Sequence, residues 1–289
     1  MAAISAPQNL LVGISPCPND VYIFAGLIRG TVTADCPPLT FDYQDVETLN
    51  AAAQRGKYDL VKISYAAYPA VESEYELLEC GGALGRGVGP LLLANESESE
   101  ELDTAQEVLI PGEHTTAHFL FNFYAQYREP GSGSSDVAPS ARLRKRFLPF
   151  DALYGELCNR PGQQGVVIHE NRFTYQRDGL TLLQDLGAFW EDKTGRAIPL
   201  GAIAVRRGSG LHEPMTKAIR ESLDWAAAHE SETISLCRQH SQAMEDAVLQ
   251  AHIGLYVNEY TRELGEEGRE AVRFFLERQR SFVTASHQN

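Results

Sequence analysis

The segment LLVGISPCPND, residues 10–20, starts the pattern from which we predict the fold of this 289-residue chain. The apolar run Leu10–Ile14 is typical of a buried strand. Residues 15–20 supply turn formers and helix-capping side chains, and residues 21–28 predict a helix that is buried on most sides. The segment therefore predicts a strand, a polar turn and the start of a helix, in that order.

The same order recurs further along the chain. Residues 39–43 and 59–63 predict two more strands, and the helices that follow them begin near Asp45 and Ser64. Strands that alternate with helices favour a mostly parallel sheet with helices packed on it. The first part of the chain is therefore predicted to be an α/β lobe.

A second set of such elements follows the glycine-rich run GGALGRGVGP at residues 81–90. Residues 107–111 and 165–168 predict strands of a second lobe, and residues 200–205 predict a strand that returns to the first. The glycine-rich run lacks the order of a dinucleotide-binding or phosphate-binding loop. We interpret it as the approach to a crossover between lobes.

These elements predict an α/β fold of two lobes joined by two crossover strands, with a helical C-terminal region from His212 onward. The predicted first lobe comprises residues 1–93 and 205–289, and the predicted second lobe comprises residues 94–204. Residues 129–140 are rich in Pro, Gly and Ser and are interpreted as a flexible surface insertion. The arrangement resembles the bilobal fold of type 2 periplasmic solute-binding proteins.

Composition narrows the classes of partner and compartment. The formal net charge of −14 argues against nucleic acids and anionic membrane surfaces as partners. The five cysteines are scattered, odd in number and without a CxxC pair, which predicts free thiols in a reducing compartment. Residues 1–20 show no basic leader with an apolar core, so we expect a cytoplasmic protein.

The candidate site follows from the fold class. In open α/β sheets, ligands bind outside the carboxyl ends of the strands. Asn19, Ser64, Thr115, Thr116 and His169 follow the predicted strands at those ends. We therefore predict a ligand site formed by these residues in the cleft between the lobes.

Each of these residues also has a purely structural alternative. Asn19, Ser64 and one of the two threonines are typical helix caps, and a helix start also favours a bound anion. His169 is suited to accept a proton near neutral pH, but a histidine at the end of a strand can also be structural. These residues alone leave both interpretations open.

A metal site is a weaker hypothesis. His114 and His118 are four residues apart, but no third ligand is evident, and protein metal sites usually need three or four. His169 lacks a second histidine at the spacing of the zinc proteases. We therefore do not expect a metal site.

Several stretches together resemble one known family, the 1,4-dihydroxy-6-naphthoate synthases of the futalosine route to menaquinone. They are SPCPND (15–20), DVETLN (45–50), KISYAAY (62–68), GGALGRGVGP (81–90), PGEHTTAHFL (111–120), IHENRFTY (168–175) and DLGAFWEDKTGRAIPLGAI (185–203). Any one of these stretches alone is weak evidence, whereas their occurrence in the same order over most of residues 10–275 is specific.

The resemblance implies an activity and roles for residues. It implies a carbon–carbon lyase that converts cyclic dehypoxanthine futalosine to 1,4-dihydroxy-6-naphthoate and releases the three-carbon remainder of the sugar. It implies that His169 is the general base, with substrate contacts from Lys62, Ile63 and Ser64 and from Thr115 and Thr116. The expected partner is a small aromatic carboxylate that carries a cyclised sugar, with no cofactor.

Two alternatives remain at this stage. A solute-binding protein of a transporter has the same fold class, and fold alone does not decide function. Chorismate dehydratase is a fold relative from the same pathway, although the HTT and IHENRFTY stretches favour the synthase. Conversion of chorismate or of cyclic dehypoxanthine futalosine distinguishes the two enzymes.

Overall fold

The computed structural model describes residues 9–95, 101–128, 143–241 and 245–286. The segment 129–140, predicted as a surface insertion, lies outside the described residues. The chain divides into two compact units. Unit 1 consists of Met1–Ile63, Ala70–Ala83 and Gly201–Gly265, and unit 2 consists of Ser64–Pro69, Leu84–Leu200 and Glu266–Asn289.

The strands and helices alternate over most of the described residues. The strands are β1 (Leu10–Ile14), β2 (Leu39–Tyr43), β3 (Leu60–Ser64), β4 (Tyr75–Leu77), β5 (Ala83–Gly85), β6 (Leu91–Asn95), β7 (Val108–Ile110), β8 (Lys145–Phe147), β9 (Gln164–Val167), β10 (Leu180–Asp185) and β11 (Ile198–Arg206). The α-helices are α1 (Pro18–Ile23), α2 (Ala25–Arg29), α3 (Val46–Gln54), α4 (Thr116–Gln126), α5 (Phe150–Asn159), α6 (Leu186–Thr194), α7 (His212–Ala228), α8 (Glu230–His240), α9 (Asp246–Tyr256), α10 (Glu259–Arg262) and α11 (Gly265–Ser286). Short 3-10 helices cover Tyr65–Ala70 and His169–Arg172.

The sheet of unit 1 has the strand order β2–β1–β3–β11–β4. The strand β1 is parallel to both β2 and β3, as the alternation of strands and helices predicts, and β4 runs antiparallel to β11. Val12 and Ile14 of β1 are fully buried in one apolar core with Met215 and Ile219 of α7. The amphipathic face of α7 therefore covers this sheet.

The sheet of unit 2 has the strand order β10–β6–β9–β7–β8. Its central strand β9 is parallel to β7 and antiparallel to β6. Leu93, Leu109, Leu153 and Val167 are fully buried in one core cluster, in which α5 packs on the sheet. The strands β6 and β7 are buried along their whole length, which fits a sheet that is covered by helices.

The two units divide the chain at residues other than the predicted boundaries. The strand β6 belongs to unit 2 because it pairs with β9 and β10. The helix α11 also belongs to unit 2, since the ring of Phe275 packs 4.5 Å from that of Phe119 and 5.7 Å from that of Trp190. The C-terminal helices are thus shared between the units.

None of the helices in the described ranges combines the length and apolar character that crossing a membrane requires.

Candidate active site

Two neighbouring strands of unit 2 place the predicted threonines and histidine at one edge of the sheet. The strands β7 and β9 are parallel, with Val108 aligned to Gln164 and Leu109 to Gly165. The turn that ends in Thr115 follows β7, and His169 follows β9. Because carboxyl ends of adjacent parallel strands lie side by side, the structure brings these residues to the same edge.

Thr115 is the N-cap of α4. Its hydroxyl accepts a hydrogen bond from the backbone N–H of His118 at 3.2 Å and donates one to the carbonyl of Gly112 at 3.0 Å. The backbone of Gly112 has φ +125°, a conformation that favours glycine. The cap alternative therefore holds for Thr115, and it orients the start of α4 at the edge of the sheet.

Thr116 is not a cap but connects three segments of unit 2. Its hydroxyl donates to the carbonyl of Leu200 at 2.8 Å and accepts from the backbone N–H of Ala66 at 3.4 Å. The side chain is only 3% exposed. This contact holds the 3-10 helix that follows Ser64 against the start of α4.

Ser64 is the last residue of β3 and is buried. The helix predicted after it is a 3-10 helix, Tyr65–Ala70, with Pro69 inside it. Proline removes one backbone donor and disfavours a regular α-helix, which explains the difference. Ala66 in this helix also accepts a hydrogen bond from Gln279 of α11 at 3.1 Å. Unit 2 therefore brings Ser64, Thr115 and Thr116 close together.

His169 has an unusual backbone. Among the described residues other than glycine it alone has a positive φ, +60°. Left-handed backbone is uncommon outside glycine and is often found at functional sites. The partly buried imidazole meets the ring of Phe150 edge-on, with the centroids 5.0 Å apart and the planes at 82°. The sequence did not single out Phe150 as a neighbour of this histidine.

The other predicted contacts, Asn19, Lys62 and Ile63, lie in unit 1. The Lys62 ammonium is 2.5 Å from Asp20, and both side chains are buried. Asp20 also accepts hydrogen bonds from the Ser15 hydroxyl at 2.7 Å and from the Asn19 amide at 2.9 Å. Burial of a charged pair is tolerated only with such additional hydrogen bonds.

Asn19 extends this polar network to the C-terminal part of unit 1. Because the amide of Asn19 donates to Asp20, its oxygen accepts from Nε2 of His252 at 3.0 Å. The N-cap of α1 is Cys17, without a side-chain hydrogen bond, so the cap alternative for Asn19 is wrong. The side chain of Ile63 is fully buried. Neither the contact of Lys62 with Asp20 nor that of Asn19 with His252 was predicted from the sequence.

His118, one of the two histidines considered as metal ligands, contacts a lysine. Its Nδ1 lies 2.8 Å from the carbonyl of Glu113, and its Nε2 lies 3.4 Å from the ammonium of Lys145. Lys145 also donates to Asn122 at 2.7 Å, and burial lowers the pKa of Lys145 to about 8. Over the part of the chain that the structure describes, no group of three or more metal-ligating side chains gathers.

The turn that carries His169 is tied to the rest of unit 2 by Arg172. The guanidinium of Arg172 donates to the carboxylate of Asp185 at 2.7 Å and to the carbonyl of Gly89. Neither Arg172 nor Asp185 was predicted from the sequence to be a site residue. The sequence signal that could have identified them is their position in the family-like stretches, Arg172 in IHENRFTY and Asp185 in DLGAFWEDKTGRAIPLGAI.

Two curated proteins and one family model match nearly the whole chain. The family model, described as menaquinone biosynthesis, matches residues 10–281. A 1,4-dihydroxy-6-naphthoate synthase from Thermus thermophilus is 44% identical over 273 residues, which cover 93% of this chain and 94% of that protein. A protein of the same name from Streptomyces coelicolor is 40% identical over 273 residues, covering 94% and 93%.

Solved structures agree on the fold. Protein AF1704 from Archaeoglobus fulgidus has a TM-score of 0.83 at 25% identity and covers 97% of this chain and 98% of its own. The periplasmic aliphatic sulphonate binding protein SsuA from Escherichia coli has a TM-score of 0.60 at 10% identity, covering 94% and 87%, and it shows the fold alone. The predicted periplasmic-binding-protein-like class is therefore confirmed. By family model and by relatives, the chain belongs to the menaquinone biosynthesis family.

Proposed function

We propose that this chain is a carbon–carbon lyase that converts cyclic dehypoxanthine futalosine to 1,4-dihydroxy-6-naphthoate, with His169 as the general base. Its two relatives that carry the name of this synthase support the activity. The observation that carries the role of His169 is its left-handed backbone at the carboxyl end of β9, beside the turn after β7. Strained backbone at a site edge is a common feature of functional residues.

The chemistry needs one base and a polar surrounding. In this proposal His169 takes a proton from a carbon next to an activating group of the substrate. The electron pair left on that carbon forms a double bond and expels the sugar remainder, which leaves with the electron pair of the broken bond and takes up a proton. The second ring thereby becomes aromatic. Imidazole is a common general base in enzymes that act near neutral pH. Polar groups at the edge stabilise the developing oxyanion.

Substrate contacts in unit 2 are proposed for Ser64, Thr115 and Thr116. The N-terminus of α4, which Thr115 caps, favours negative charge through its backbone N–H groups and the helix dipole. A carboxylate on the aromatic ring of the substrate has the charge that such a helix start binds. We therefore assign recognition of the substrate carboxylate to the start of α4.

In unit 1 we propose substrate contacts for Asn19, Lys62 and Ile63. The ion pair of Lys62 with Asp20 gives its ammonium a defined position, which suits recognition more than a flexible surface lysine does. Because the side chain of Ile63 is fully buried, its contact would be made by the backbone.

A small aromatic carboxylate as the partner agrees with the charge of the chain. The net charge of −14 disfavours binding to nucleic acid phosphates. We also propose a cytoplasmic location, because none of the five cysteines, all of which lie in the described ranges, forms a disulfide, as is usual in a reducing compartment.

The test is turnover of cyclic dehypoxanthine futalosine, followed by the fluorescence of the naphthoate product. We expect the wild-type chain to form the product and His169→Ala to lower kcat by about 10²- to 10⁴-fold, the usual contribution of a general base. The control His229→Ala removes an exposed imidazole of unit 1 and should leave kcat unchanged. Full activity of His169→Ala would disprove the base assignment. Conversion of chorismate, or binding without conversion, would disprove the synthase.

A further inference from the structure

The backbone of His169 needs a structural cause. A left-handed conformation at a non-glycine residue is strained and persists only when surrounding contacts enforce it. His169 opens the 3-10 helix His169–Arg172, and its φ is +60°. The contacts that fix this short helix therefore decide where the imidazole is held.

Arg172, the last residue of the same 3-10 helix, makes two such contacts. Its Nη2 donates to a carboxylate oxygen of Asp185 at 2.7 Å, and its Nη1 donates to the carbonyl of Gly89. The side chains of the pair are 17% and 20% exposed. A planar guanidinium that satisfies two acceptors at once fixes orientation as well as distance.

The two acceptors of Arg172, the carboxylate of Asp185 and the carbonyl of Gly89, are themselves held in place. Asp185 is held because it caps a helix. It ends β10, and its other carboxylate oxygen accepts from the backbone N–H groups of Gly187 at 2.9 Å and Ala188 at 3.0 Å. One oxygen of the carboxylate thus caps α6 and the other binds Arg172. The carboxylate has little freedom to follow a moving turn.

Gly89 is held by close backbone packing against the start of α6. A Cβ atom on Gly89 would lie 2.3 Å from the Cα of Gly187, so no other residue fits without displacing the backbone. Next to it, the backbone N–H of Leu186 donates to the carbonyl of Pro90 at 3.0 Å. The segments that carry the two acceptors therefore form one tightly packed junction.

We propose that Arg172 is a positioning residue for the reaction, which holds the strained turn so that the imidazole of His169 stays aligned for proton abstraction. This inference rests on the proposed role of His169. Arg172 acts through the backbone of the turn, by fixing it to the junction of Gly89 and Asp185. A displacement of about 1 Å at a catalytic group lowers the rate by about 10²-fold.

Three variants test the proposal. Arg172→Met should lower kcat by about 10- to 100-fold and leave KM within about threefold, because alignment for the chemical step is lost while substrate contacts remain. Asp185→Asn keeps an oxygen for the α6 cap but places an amide against the guanidinium, so it should lower kcat by a smaller factor with the fold intact. The matched control Arg146→Met removes another ion-paired arginine of unit 2, 35% exposed and bonded to Glu107 at 2.8 Å, and should leave kcat unchanged.

Thermal unfolding of each variant separates alignment from stability. A loss of kcat in folded Arg172→Met and Asp185→Asn, with none in Arg146→Met, supports the proposal. If both folded variants retain wild-type kcat, or if Arg146→Met loses as much activity, the proposal is overturned.

A double-mutant cycle with His169→Ala separates this inference from the proposed function. If Arg172 acts through His169, Arg172→Met should cause no further loss in the His169→Ala background. An equal further loss there would show that Arg172 acts independently and would overturn the inference. Full activity of His169→Ala would instead refute the base assignment itself. If His169→Ala loses its activity while Arg172→Met keeps wild-type kcat, only the inference about Arg172 is refuted.

Discussion

At the residue scale, the surroundings of two lysines give them different proton affinities. The ammonium of Lys57 lies 2.7 Å from Asp42, and this hydrogen-bonded pairing raises the pKa of Lys57 and lowers that of Asp42 to about 2. Lys145 contacts Asn122 and His118, which carry no compensating negative charge, and burial lowers its pKa to about 8. The pKa values of the two lysines therefore shift in opposite directions. The carboxylate of Asp42 stabilises the charged form of Lys57, whereas desolvation destabilises the charged form of Lys145.

Lys145→Met tests this desolvation through the pH dependence of stability. The folded-state pKa of Lys145 is about 8 and its ordinary value is 10.5. Between these values the unfolded chain keeps a proton that the folded chain has released, so this lysine makes the free energy of unfolding rise with pH. We therefore expect the unfolding free energy of the wild type, relative to Lys145→Met, to rise from about pH 7 to about pH 9.5.

Urea unfolding at the two pH values measures that difference. The control Lys217→Met removes a lysine whose side chain is 78% exposed, and its difference from the wild type should not depend on pH in this range. A difference for Lys145→Met that stays constant with pH would contradict the lowered pKa.

At the element scale, a short helix depends on a longer one for one of its first hydrogen bonds. The helix α2 has five residues, and the first N–H groups of any helix lack partners within it. The buried hydroxyl of Ser222 on α7 accepts from the backbone N–H of Gly26 at 3.0 Å, across 196 residues of sequence. A Cβ atom on Gly26 would lie 3.2 Å from the Cα of Ser222, so the two helices pack closely.

Ser222→Ala should therefore destabilise unit 1 by about 1–3 kcal/mol, because the buried N–H of Gly26 would lose its acceptor. The free energy of unfolding in urea measures this loss. Ser281→Ala provides a matched control, since this exposed serine of α11 bonds only to the carbonyl one turn earlier, Glu277 at 3.0 Å, in the described contacts. Equal stabilities of the two variants would show that α2 does not depend on Ser222.

At the scale of the whole molecule, the last helix completes the core of unit 2. Phe275 of α11 is fully buried and packs against Phe119 of α4 and Trp190 of α6. The chain contains two tryptophans, and the structure places Trp190 in unit 2 and Trp225 in unit 1. Each unit therefore has its own fluorescent reporter of unfolding.

Phe275→Ala should lower the unfolding free energy of unit 2 by about 3–5 kcal/mol, the usual cost of removing a fully buried phenylalanine. In a Trp225→Phe background, the fluorescence of Trp190 follows this transition directly. Leu182→Ala, at a position of β10 that is 38% exposed, should shift the same transition by less than about 1 kcal/mol. An unchanged Trp190 transition in Phe275→Ala would show that α11 is not part of this core.

The sequence alone was sufficient for what local patterns encode. The apolar run of β1 followed by a polar turn predicted a parallel α/β sheet, and the structure has that sheet. The positions of Thr115, Thr116 and His169 after predicted strands were enough to assign them to the carboxyl edge, and β7 and β9 lie side by side there. The spacing of apolar residues is a property of neighbouring positions in the chain. Strands and helices can therefore be predicted from it without knowing which distant segments they pack against.

Only the tertiary structure decided how those residues are held. It determined that Thr115 caps α4 while Thr116 binds Leu200 and Ala66, and that His169 adopts a left-handed backbone. It also connected Arg172 to a carbonyl 83 residues away and assigned α11 to unit 2. Such contacts depend on packing between segments that are far apart in the chain, and no local pattern records which distant segment supplies the partner.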